Sequence, residues 1–325
     1  MYIDIGIKPF PHTHNTHYEE EMTLGQIAEL CYHITSTFLK LQIASTTELT
    51  RNTQEAVLRT RSYFLNDIFT QWDPLNSEIS FAYNGGKDCQ VLLLLYLSAL
   101  WEHYMLGICK SQYDQAYHNF PLKKLPTVFI NSNETFPALE SFISMTVNRY
   151  HLSLYEDKKY GCSSDMASEF ERYLELNPST KAIVIGVRHT DPFGEKLKTI
   201  QMTDSNWPQF IRLQPLLEWN LANVWSFLLY SGEPICPLYR YGYTSLGGVN
   251  DTIPNPYLKR EVVSDEDKTF KFQFELENSV GYSPENVTKR WETQDPNLIE
   301  LGEQYLPGWY LLEDFKERAG RIKKC

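Results

Sequence analysis

Asn84-Gly85-Gly86-Lys87-Asp88 stands between two apolar runs, ISFAY before it and a stretch rich in leucine after it. Two glycines after a strand let the backbone turn tightly and bring its N–H groups against a ligand. A helix beginning near Asp88 aims its first N–H groups and its dipole into the same corner. Lys87 adds a mobile positive charge. This combination is an anion site, and phosphate is the usual occupant of such sites. GxxxxGK[ST] is absent because Asp88 follows Lys87, and GxGxxG is absent too. Asp88 can orient the loop, cap its helix or meet metal-bound water. Cys89, heading an apolar helix, reads as a packing or capping residue and not as a nucleophile.

Three further groups carry chemistry. Arg188 and Asp191 follow an apolar run ending near Val187; Asp191-Pro192 also suits a plain turn. Asp204-Ser205-Asn206-Trp207 is a polar turn closed by a large ring, with Arg212 just beyond. A flat aromatic ligand needs an apolar wall and a few edge hydrogen bonds, which this turn can supply; a tryptophan alone fits a core equally well. Arg318 and Arg321 are spaced to share a helix face, as a phosphate clamp or as a solvated basic tail. His12, His14 and His17 lack a companion carboxylate or cysteine at ligand spacing and read as a solvated arm.

The elements that must hold these groups alternate from residue 79 onward. Strands are expected at Ile79–Tyr83, Thr127–Ile130, Leu152–Tyr155, Ala182–Val187 and Phe210–Leu213. Helices are expected near Asp88–Tyr104, Thr135–Asn148, Ser164–Glu175 and Leu221–Tyr230. The alternation implies an α/β fold, a parallel twisted sheet flanked by helices. Ligands of such sheets bind at the carboxyl ends of the strands, where the topology switches. Residues 1–78 read as a helical N-terminal addition, with helices in Thr23–Leu41 and Thr47–Phe69 and a capping box at Thr23 and Gln26. Residues 79–248 are expected to form the domain that holds the site, the catalytic domain if the chain is an enzyme. Residues 249–325 form a C-terminal extension, polar at first and ending in a short amphipathic helix.

Composition sets the outer limits. Thirty Lys and Arg against 41 Asp and Glu give a net charge of −11, which repels nucleic acid and anionic membrane. The six cysteines form no CxxC pair and read as free thiols of a cytoplasmic protein. The run Val91–Leu100 is too short to span a bilayer. A monomer is expected.

The glycine corner resembles the pyrophosphate loop, SGGxDS, of the adenine nucleotide α-hydrolase-like superfamily. FINSNETFPALESF (129–142), GVRHTDPFG (186–194), RLQPLLEW, PICPLY and GYTSLGG are similar to its PAPS reductase branch. GVRHTDPFG, DSNWP and the late ERAGR resemble most the eukaryotic-type FAD synthase family. That resemblance implies the reaction FMN + ATP → FAD + pyrophosphate, with Mg2+ accompanying ATP and the metal ligands unspecified. It implies that Ala82, Asn84, Gly85, Gly86, Lys87, Ile130 and Val187 meet ATP. Arg188, Asp191, Asp204, Ser205, Asn206, Trp207 and Arg212 would meet the flavin. Asn84, Asp88, Asp191, Arg318 and Arg321 would carry catalysis. A sulfonucleotide reductase is the alternative, but Cys325 lacks the expected Glu-Cys-Gly setting. A nucleotide-binding regulator without catalysis is the third reading.

Overall fold

Thr23 opens the first helix as the capping box requires: its N–H donates to Gln26 Oε1 at 2.8 Å, and Gln26 N–H returns to Thr23 Oγ1 at 3.3 Å. This helix, α1 (Leu24–Leu39), is followed by α2 (Glu48–Ser62), capped by Thr47 and prolonged by a π-turn at Tyr63–Ile68. The computed structural model describes residues 22–42, 47–110, 119–129, 134–156, 166–261 and 296–322. His12, His14, His17, Ile130, Cys162 and Cys325 lie outside them.

The expected alternation follows: β1 (Ile79–Ala82), α3 (Lys87–Lys110), β2 (Leu125–Phe129), α4 (Pro137–Arg149), β3 (Leu152–Glu156), α5 (Met166–Leu176) and β4 (Ala182–Val184). Next come β5 (Ile200–Met202), β6 (Ile211–Leu213) and α6 (Leu221–Ser231). The six strands lie in the order β3-β2-β1-β4-β6-β5. All pairings are parallel except β5 with β6. The chain runs outward from β1 to β3, then returns to the other side of β1 through β4. The switch point therefore lies between the carboxyl ends of β1 and β4, where the glycine corner and Arg188 emerge. Two differences from the sequence reading are physical. Strand β4 stops at Val184, and β5 is three residues long, too short to show alternation.

Helix α3 is buried along most of its length and packs against α1, α2 and α6. It is long and apolar enough to cross a membrane by length and composition, beyond what the Val91–Leu100 run suggested. Here α1, α2 and α6 supply much of its apolar surroundings. One large core joins Leu24 and Ile27 of α1, the α3 leucines and Trp309. A smaller cluster, including Val128, Phe170, Tyr173, Ile183 and Phe210, joins α5 to the sheet.

The chain's last described part returns to this body. It contains α7 (Pro296–Gln304), a turn at Gly308–Tyr310, the single-turn α8 (Asp314–Glu317) and a 3-10 turn at Arg318–Gly320. An amphipathic helix was expected across this end. The segment is broken instead into short turns: Gly320 sits where a Cβ would meet the Ile253 carbonyl at 2.3 Å, and Trp309 packs edge-to-face on Trp225 at 6.2 Å.

Candidate active site

Gly85 has φ +73°, and a Cβ there would stand 2.7 Å from Leu139 and 2.9 Å from Ile143 of α4. Only glycine meets both demands. Gly86 N–H donates to Asn84 Oδ1 at 2.9 Å, so the asparagine side chain closes the turn it belongs to. Lys87 N–H donates to the Tyr239 hydroxyl at 2.9 Å. These two donors already have partners inside the protein, so the corner is a braced loop more than an open ring of N–H groups. Gly85 itself lies behind the loop, against α4.

The loop forms one side of a cleft of about 420 Å3. Asn84 and Gly86 line it from the loop, Lys87, Asp88 and Cys89 from the start of α3, Gly186, Val187 and Asp191 from beyond β4, and Ser245–Gly248, Glu317 and Arg318 from the late chain. Within the last described part of the chain, Glu317 and Arg318 lie at this cleft. Arg318 is exposed at the cleft wall. Arg321 does not line the cleft: it donates to the Leu246 carbonyl at 2.6 Å and lies 3.6 Å from Asp251. A Cβ on Gly247 would strike its guanidinium at 2.2 Å. The expected pair of clamping arginines is thus one arginine in the cleft and one bracing its wall. Burial and the nearby Arg318 charge hold the Arg321 pKa below its ordinary value.

Beneath the cleft lies an ionic network that the sequence did not announce. Arg188 is fully buried, with Asp88 at 2.8 Å, Asp314 at 3.0 Å, Asp191 at 3.6 Å and Glu317 in direct contact. Lys87 is 2% exposed and pairs with Asp88 at 3.0 Å and with Glu317. Burial opposes the charge on Lys87, but Asp88 and Glu317 outweigh it and leave its pKa raised. Burial works against the Asp88 carboxylate as well; Arg188 and Lys87 overcome that and hold its pKa down. At Asp191 burial wins, and its pKa is raised. Asp191 Oδ2 accepts the Arg188 N–H at 2.9 Å. Burial, then the charge of Asp88, pushes the Cys89 thiol up to about 12, so it stays protonated and serves packing against Gly186.

The flavin-side residues are placed differently. Asp204, Ser205, Asn206 and Trp207 form the turn from β5 into β6, at the end of the sheet where β4 begins. Neither they nor Arg212 line the cleft. The unforeseen β5–β6 hairpin carries them to the sheet edge. Trp207 packs edge-on against Phe170 at 5.9 Å, and Arg212 lies 3.5 Å from Asp204 with its Nε buried and unbonded. Ala82 packs on the smaller cluster, not in the cleft. Glu317, Asp314 and Tyr239 were missed. Glu317 and Tyr239 stand in ERAGR and PICPLY, which were noticed for other features, Asp314 precedes ERAGR by three residues, and nothing local marks a glutamate that meets a lysine 230 residues away.

Comparisons with known proteins now bear on the geometry. The family description "phosphoadenosine phosphosulfate reductase domain" matches residues 78–254. The flavin adenine dinucleotide synthase of Saccharomyces cerevisiae is 50% identical over 93% of this chain and 100% of its own length. A probable FAD synthase of Schizosaccharomyces pombe is 36% identical, covering 60% of this chain and 68% of that protein. The crystal structure of Candida glabrata FMN adenylyltransferase in complex with FAD and inorganic pyrophosphate superposes with a TM-score of 0.82. It shares 53% identity over 95% of this chain and 100% of that one. The cleft, the sheet order and these likenesses agree: the chain belongs to the FAD synthase family, the FMN adenylyltransferases built on a PAPS reductase-like domain.

Proposed function

We propose that this protein joins FMN to ATP, forming FAD and releasing pyrophosphate. The observation that carries the reading is the pairing of a braced glycine corner with Arg318 across one cleft. A reaction between two phosphates needs cations gathered at one cleft, and this cleft is lined by both Lys87 of the corner and Arg318. The related Candida glabrata enzyme has been crystallised with FMN and the ATP analogue AMPCPP, and with FAD and pyrophosphate.

In this reading Asn84, Gly86 and Lys87 hold the β- and γ-phosphates, and Val187 offers backbone to the nucleotide. An oxygen of the FMN phosphate attacks the α-phosphorus, and the α–β bridging oxygen leaves with pyrophosphate. Arg318 binds the incoming phosphate and steadies the charge that develops. Asp191 fixes the loop beyond β4 by holding the Arg188 N–H. Among the described residues no three His, Cys, Asp or Glu side chains gather to hold an ion. Mg2+ that accompanies ATP would be carried mainly by the triphosphate, as this ion usually binds through substrate phosphates and one or two carboxylates. Asp88 lines the cleft beside the corner and would reach the ion with a carboxylate whose Oδ1 faces Arg188 Nε at 2.8 Å. Bound there, the ion would neutralise phosphate charge.

The isoalloxazine ring is assigned to the β5–β6 turn. The half-buried Trp207 ring and the unbonded Arg212 Nε support this. Strand β6 spans only three residues, about 10 Å, between that turn and the cleft end of the sheet. We further read the protein as a cytoplasmic monomer acting on small anions; its charge of −11 disfavours nucleic acid and membrane partners.

Mixing the protein with FMN, ATP and Mg2+ should release pyrophosphate and lower flavin fluorescence as FAD forms. Sulfite released from PAPS and a thiol donor, with no FAD, would instead make it a reductase.

A further inference from the structure

Lys87 is the only lysine lining the cleft among the described residues, yet its ammonium faces Glu317 and Asp88. Glu317 is 5% exposed at its side chain and contacts both cations, one oxygen on Lys87 Nζ and the other on Arg188. It is held from behind. Its own carbonyl accepts the buried Thr244 hydroxyl and, at 3.3 Å, the Asn255 side-chain amide. Asn255 is fully buried and also donates to Thr244 at 2.8 Å and to the Lys316 carbonyl at 2.8 Å. The next residue, Arg318, lines the cleft. One backbone turn thus delivers an arginine to the substrates and a carboxylate to the lysine of the phosphate corner.

We propose that Glu317 is a positioning residue for the adenylyl transfer: it holds Lys87 and Arg188 in register and keeps part of the Lys87 charge from the triphosphate until that ligand competes for it. The proposal rests on the reading that ATP occupies this cleft. An ammonium has three donors. Here Asp88 and Glu317 take two, so a phosphate meets a lysine that is already largely neutralised. Two cations are set against four carboxylates, Asp88, Asp191, Asp314 and Glu317. Removing the Glu317 charge should therefore strengthen ground-state binding of a triphosphate while loosening the geometry on which turnover depends.

The test is Glu317→Gln, which keeps the shape and leaves Lys87 and Arg188 their other carboxylates. Binding of an uncleavable ATP analogue with Mg2+, followed by calorimetry, should tighten on the order of tenfold. Turnover of FMN and ATP should fall on the order of tenfold. Glu317→Asp, which restores the charge, should return analogue affinity toward that of the wild type. In a Lys87→Met background, Glu317→Gln should change analogue affinity by less than about twofold, because the two residues act as one unit. Unchanged or weakened analogue binding in Glu317→Gln, or full additivity with Lys87→Met, would overturn the proposal. If Glu317→Gln does not fold, Glu317→Asp and Lys87→Met still decide it: analogue binding tightened by the first or unaffected by the second defeats it. Wild-type FAD formation, measured alongside, tests the parent reading separately.

Discussion

Arg318 and Asp191 line the same cleft but sit in opposite electrostatic settings, and the difference can be measured. Arg318 is exposed and belongs to a tight turn. Its loss should leave stability within about 1 kcal/mol of the wild type. Turnover should drop about 100- to 1,000-fold, the range seen when a group that stabilises transition-state charge is removed. Chemical denaturation and steady-state rates on Arg318→Ala check both halves, and near-normal turnover would remove it from catalysis. Asp191 has a raised pKa because burial and the Asp88 charge outweigh the attraction of Arg188. The fold thus favours its protonated form, and ionisation at neutral pH works against stability. Asp191→Asn should melt at a higher temperature than the wild type at pH 7. That gain should shrink as the pH falls below the ordinary carboxylate value of about 4, where the acid is neutral in both states. A gain that persists or grows in acid would contradict the assigned cause. The same variant should lose turnover, because the raised acid belongs to the site.

At the scale of elements, the glycine corner was legible because all its causes are local. A strand, two glycines and an apolar helix follow one another within twenty residues, and each departs from what a plain connector needs. Gly85→Ala tests this element. The positive φ and the contacts with Leu139 and Ile143 leave no room for a methyl, so the variant should lose about 1–3 kcal/mol of stability. It should also weaken ATP binding more than FMN binding. The β5–β6 turn was legible as a motif but not as a place. Its residues were read as a ring-binding set, while the three-residue β5 that carries them to the sheet edge shows no period. Trp207→Ala separates the assignments: a ring seat there predicts a KM for FMN raised about tenfold or more with little change for ATP. A loss of stability with both KM values intact would make the indole a packing residue against Phe170. The ionic network was illegible for a different reason. Lys87 and Glu317 meet across 230 residues, and Arg188 and Asp314 across 126, so only the fold brings them together.

The whole molecule carries −11, yet both substrates are anions that must reach one cleft. The cleft does not offset this field with surplus positive charge, since Lys87 and Arg188 are already matched by four carboxylates. Arg318 is the cleft cation that meets solvent. Long-range steering should therefore slow the approach of ATP, while recognition within the cleft is short-ranged. Salt affects these two effects differently. At low ionic strength the screening length is about 30 Å and the repulsive field of the whole surface is felt; near 0.15 M it is about 8 Å and little of that field reaches the ligand. kcat/KM for ATP, at a fixed excess of Mg2+, should rise severalfold as salt increases from about 0.01 M to about 0.15 M. It should fall again toward about 1 M, where screening reaches the Arg318 contact itself. Arg318→Ala should keep the rise and lose the fall. A steady decline from the lowest salt onward would mean that local cations, not the net charge, govern capture, and that the site is more positive than its ion pairs imply.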